Sequence, residues 1–174
     1  MDYVLKMHQF PQSALLSVMH KEDQLSDTLI AALGKRVATF HQHAKTNDYI
    51  SEFGKPDAIA QAINNNYQQT EKYIGVAQTE KQFRETKAFS DQFLQTRQSL
   101  LEARVKQGFI RECHGDLHLK NICWWHDKIQ LFDRIEFNEP FRFVDVMYDI
   151  AFAVMDLHFR GCQDFATVFL NRYL

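Results

Sequence analysis

The chain has 174 residues, 45% apolar and 24% charged, with a formal net charge of -2. It has no lysine and arginine surplus to neutralise a phosphate backbone, so nucleic acid is a poor partner. Asp145, Asp149 and Asp156 interrupt the longest apolar stretch, so no span of about 18 apolar residues exists to cross a membrane.

Residues 1–10 carry Asp2 and no apolar core, so no secretory signal is read there. Tyr3 to Met7 reads as a strand end or linker. Pro11 opens a weak helix to about His20. Ser26 is a plausible N-cap, and Leu29, Ile30, Leu33, Val37 and Phe40 follow the spacing of an amphipathic helix to about Ala44. Asn47 to Gly54 reads as a loop. Pro56 suits a first helical turn, with helix to about Ile74. Thr79 and Gln82 have capping-box spacing, and one long helix is predicted from there to Gly108. Its stripe of Phe83, Phe89, Phe93, Leu94, Leu100, Leu101 and Val105 reads as core.

The texture then changes. Phe109 to Cys113, Ile122 to Trp125 and Ile129 to Phe132 are strand candidates, with His126-Asp127 as a hairpin turn. After Pro140, Val144 to about Phe159 reads as a mostly buried helix, with Asp145 and Asp149 on one face. Gly161 separates it from a last helix ending at Leu174. The fold class is α+β, mainly α. It reads as one domain, with a segment 1–10, a helical part 11–107, a loop-and-hairpin part 108–138 and terminal helices 140–174.

Six scattered glycines include neither G-x-G-x-x-G nor G-x-x-x-x-G-K-[ST], so no glycine-rich phosphate loop is present. Cys113, Cys123 and Cys162 read as reduced thiols of a cytoplasmic protein. Chemical potential concentrates in the run from Cys113 to Asn121, a loop between two strand candidates. Phosphoryl transfer needs a carboxylate to orient or deprotonate the attacking hydroxyl, and oxygen ligands for Mg²⁺. His114-Gly115-Asp116, four further residues and Asn121 reproduce the spacing of a kinase catalytic loop, and Asp133 ends the next hairpin.

The run His114-Gly115-Asp116-Leu117-His118-Leu119-Lys120-Asn121 resembles the H-G-D-x-x-x-x-N loop of the aminoglycoside phosphotransferase and choline kinase-like family. Leu131-Phe132-Asp133 resembles its metal-binding strand end, and Asp145 to Ala151 its "D-x-A" helix start. The motifs cover about 111 to 157. The resemblance implies the C-terminal helical lobe of the protein kinase-like fold, in an ATP- and Mg²⁺-dependent phosphotransferase acting on a small-molecule hydroxyl. Asp116 would be the catalytic base, and Asn121 and Asp133 the Mg²⁺ ligands. His114 and Asp149 would support the loop. Met7, His8 and Gln9 would form the nucleotide hinge.

The resemblance also implies that the N-terminal lobe is absent, so the chain is expected to be an inactive fragment. Its exposed cleft could bind the missing lobe or a second copy. A further P-loop ATPase domain in the parent is left open. Two other readings compete: a non-catalytic binding module, and structural zinc on Cys113, His114, His118, Cys123 and His126.

Overall fold

A computed structural model describes residues 9–174. The expected strand Tyr3 to Met7 and the hinge residues Met7 and His8 lie outside the described residues; Gln9 is exposed and without regular structure. In chain order the helices are α1 (Leu16–Lys21), α2 (Asp27–His43), α3 (Asp48–Glu52), α4 (Pro56–Thr70), α5 (Glu80–Thr96) and α6 (Gln98–Lys106), then α7 (Glu139–Arg142), α8 (Val146–Phe159) and α9 (Gln163–Tyr173). Between α6 and α7 come β1 (Ile110–Glu112), β2 (Ile122–Trp125) and β3 (Lys128–Leu131), and β4 (Phe143–Asp145) lies between α7 and α8. The class is α+β, mainly α.

Local chemistry explains most of the boundaries. The Ser26 hydroxyl accepts from Leu29 N at 3.3 Å and starts α2. Thr79 and Gln82 close a reciprocal capping box on α5. Pro56 occupies the first turn of α4, where its missing N–H costs nothing. β2 and β3 pair antiparallel, with Ile122 opposite Leu131 and Trp125 opposite Lys128. His126 and Asp127 join them with φ of 52° and 55°, as a primed two-residue turn requires.

Several expectations are corrected. The first predicted helix is broken: a 3-10 turn covers Gln12–Ala14, and Leu15 is extended and bridges to Cys123 before α1 begins. The segment read as a loop from Asn47 contains α3, because Asn47 Oδ1 caps Ile50 N at 2.8 Å. The long helix is two helices, divided at Arg97. There the Thr96 hydroxyl bonds back to the Gln92 carbonyl at 2.7 Å, the kind of back-bonding that bends a helix. Neither α5 nor α6 contains a buried residue, and Phe89 is 69% exposed, so the stripe is not core. Asp145 and Asp149 do not share a helix face: Asp145 lies in β4, and Arg104 grips its carboxylate with two donors, one at 2.7 Å.

The described residues divide into two compact units. One comprises residues up to His43, His114–Phe137 and Met147–Leu174. Its core joins Leu16, Ile30, Leu33 and Val37 to Leu117, Leu119, Ile122 and Ile129, and both sets to Ile150, Ala153, Leu157, Ala166 and Phe169. α2 and α9 pack closely, since a Cβ on Gly34 would lie 2.8 Å from the Phe169 carbonyl oxygen. The other unit comprises Ala44–Cys113 and Asn138–Val146. It contains the antiparallel pair β1–β4 and a small cluster of Ile50, Ile110 and Phe143, with Phe53 and Val105 against it.

Candidate active site

The loop from His114 to Asn121 belongs to the first unit, and its burial alternates. Leu117 and Leu119 are fully buried, while Asp116 and His118 are half-buried and Lys120 is exposed. The two leucines root the loop in the core, and Asp116 and His118 beside them stay partly exposed. Gly115 has φ of +82°, a left-handed backbone that a side chain would strain.

Asp149, wholly buried on α8, holds the start of the loop. Its Oδ2 accepts from His114 N at 3.1 Å and its Oδ1 from Gly115 N at 2.8 Å. His41 Nε2 donates to Oδ2 at 2.9 Å, and the Tyr173 hydroxyl meets His41 Nδ1 at 2.8 Å. Both oxygens of this buried carboxyl group are thus hydrogen-bonded.

Asn121 and Asp116 are in direct contact. Asn121 Nδ2 donates to the Asp116 carbonyl at 3.0 Å and to Asp116 Oδ2 at 3.1 Å. With its nitrogen committed, the amide turns its oxygen away from Asp116. His118 Nε2 lies 3.3 Å from the same Oδ2. Among the described residues no hydrogen bond falls on Asp116 Oδ1.

Asp133 is reached through its neighbours. Phe132 N donates to the Asn121 carbonyl at 3.1 Å, His114 Nε2 donates to the Phe132 carbonyl at 2.8 Å, and Ile135 N donates to the His114 carbonyl at 2.9 Å. Asp133 therefore sits in a segment stitched to both ends of the loop. Its φ is 57°, its side chain is exposed, and among the described residues that side chain makes no hydrogen bond or ion pair. A non-glycine residue held in the left-handed region beside a polar cluster is a functional pointer.

His114 is buried, and burial pushes its pKa below the ordinary value of 6.5, against the opposing pull of the Phe132 carbonyl and of Asp149 and Asp116. Its Nδ1 has no partner among the described residues, so a second proton there would be a buried, unpaired donor. Burial also pushes the Cys123 thiol up. Among the described residues no three of Cys113, His114, His118, Cys123 and His126 form a ligating group, so the structure lends that zinc set no support.

Reading the sequence missed His41, Tyr173 and Asp156. His41 continues the Leu33, Val37 stripe of α2 onto the buried face, and a histidine in such a stripe is a usable signal. Asp156 is the other acid in an apolar helix, seven residues beyond Asp149. Nothing local marks Tyr173.

No protein-family model matches the chain, and no solved structure matches it. It is similar to uncharacterized proteins of Mycobacterium bovis and of two Mycobacterium tuberculosis strains, each 28% identical over 170 residues. The match covers 98% of this chain and 34% of theirs, so the chain spans about a third of the length of these curated relatives.

Proposed function

We propose that this chain carries the catalytic loop of an ATP- and Mg²⁺-dependent phosphotransferase acting on a small-molecule hydroxyl, built like the C-terminal lobe of an aminoglycoside phosphotransferase. The contact that carries the reading is Asn121 Nδ2 on both the carbonyl and the carboxylate of Asp116. It gives the loop one oxygen to take a proton and another to hold a cation.

In this reading Asp116 Oδ1 faces the acceptor hydroxyl and takes its proton as the oxygen attacks the terminal phosphorus of ATP, while the bond from that phosphorus to the bridging oxygen breaks and ADP leaves with the electron pair. Asn121 and His118 hold Oδ2 and fix the direction of the carboxylate. The amide oxygen of Asn121 and the carboxylate of Asp133 fit Mg²⁺, a hard cation satisfied by one or two protein oxygens plus water and phosphate. When bound, that ion offsets the phosphate charge. His114 and Asp149 touch no reacting atom; they hold the loop in register.

The test is turnover of Mg-ATP by the whole protein across a panel of small alcohols. Asp116→Ala is expected to lower turnover by roughly 10² to 10⁴, and Asn121→Ala and Asp133→Ala to raise the Mg²⁺ requirement. Near-normal turnover in Asp116→Ala would end the assignment of Asp116 as base, and no turnover of any alcohol by the unaltered protein would leave a non-catalytic binding module.

A further inference from the structure

The loop has a second attachment to α8, at its other end. Leu119 opens the 3-10 turn Leu119–Asn121, and the residue before it, His118, offers no side-chain cap. The amides at the start of such a turn have no partner within it. Asp156, from a different element, meets this need: its Oδ2 accepts from Leu119 N at 2.9 Å. Arg160, one turn further along α8, donates from Nε to Asp156 Oδ1 at 3.0 Å. Both side chains are largely buried, at 14% and 15% exposure, where a charge-assisted hydrogen bond is strong.

Asp149 and Asp156 are seven residues apart, two helical turns and about 10.5 Å along one face of α8. Asp149 holds the amides of His114 and Gly115, and Asp156 holds that of Leu119. Leu117, between these points, is buried in the same cluster as Ile150, Ala153 and Leu157 of α8. Asn121 ends the turn that Leu119 begins, and its own N–H returns to the His118 carbonyl at 2.9 Å.

We propose that Asp156 is a positioning residue: with Asp149 it forms a two-point clamp from α8 that sets the turn presenting Asn121. Arg160 fixes the rotamer of Asp156. The role of the clamp in metal binding rests on the reading of Asn121 as a ligand; the clamp itself does not.

The experiment measures amide hydrogen exchange in the full chain, and Mn²⁺ affinity from the signal of the free ion. Asp156→Ala is expected to speed exchange at Leu119 by roughly tenfold or more, the loss of one charged hydrogen bond, and to weaken Mn²⁺ binding several-fold. Asp156→Asn keeps an acceptor oxygen and is expected to restore most of both. Gly115, held by Asp149, keeps its protection throughout. Unchanged Leu119 exchange in Asp156→Ala, or Asp156→Asn as damaged as the alanine variant, overturns the clamp. If Asp156→Ala does not fold, Asp156→Glu replaces it; its extra methylene must also speed Leu119 exchange, and no change again overturns the clamp. An exchange response in a protein that binds no Mn²⁺ supports the clamp and removes its link to a metal ligand. Mn²⁺ binding without an exchange response overturns the clamp alone.

Discussion

His114 shows how one side chain couples the loop to pH. Nε2 is spent on the Phe132 carbonyl, and Nδ1 is buried without a partner among the described residues, so the neutral ring suits the folded state. Its native pKa lies below 6.5, and the unfolded value is the ordinary one. Above about pH 6.5 both states are neutral and the stabilisation is complete. As pH falls below that value the unfolded chain takes up the proton first, and stability declines until pH passes the native pKa. Urea unfolding between about pH 7.5 and pH 5.5 is expected to show this loss, with a shallower slope in His114→Gln. An equal slope in that variant would place the dependence elsewhere. The spacing of Asp116 and Asn121 was legible because it lies within six consecutive residues. The hydrogen bonds on His114 were not, since they come from Phe132 and Asp149.

At the scale of elements, boundaries written in adjacent residues were readable. The Thr79–Gln82 box, the His126-Asp127 turn and the Gly161 break each rest on a few neighbouring positions. β4 was not, because three residues gain strand form only by pairing with β1. The same holds for Gly34, an ordinary helical glycine in sequence whose lack of a side chain lets α2 approach α9. Gly34→Ala would place a methyl 2.8 Å from the Phe169 carbonyl oxygen and 3.0 Å from Arg172 Cβ. Although alanine favours helix, the clash should win. A net loss of about 1 to 3 kcal/mol is expected by denaturant unfolding, and a gain in stability would show that the helices separate freely.

Across the whole molecule, protection from solvent is uneven. In one unit the buried cluster extends through α1, α2, the loop, the hairpin, α8 and α9. In the other, α4, α5 and α6 contain no buried residue, and the buried cluster consists of Ile50, Ile110 and Phe143. Amides with few buried apolar neighbours open locally at low cost. Native-state hydrogen exchange should therefore release α4 to α6 at least roughly 100-fold faster than α2 and α8. Uniform protection would contradict the burial described above. Reading the Phe83 to Val105 stripe as core failed at this scale, because an apolar stripe records a preference for burial without supplying the partner that buries it.

The sequence by itself determined the starts of α2, α4 and α5, the β2–β3 hairpin and the offset between Asp116 and Asn121, since each depends on residues a few positions apart. Tertiary structure alone decided what holds the loop. His41 reaches Asp149 across 108 positions and Tyr173 reaches His41 across 132. Asp156 meets Leu119 across 37, and Arg104 meets Asp145 across 41. Caps and turns follow from short-range backbone geometry, whereas these contacts exist only after packing has brought distant segments together.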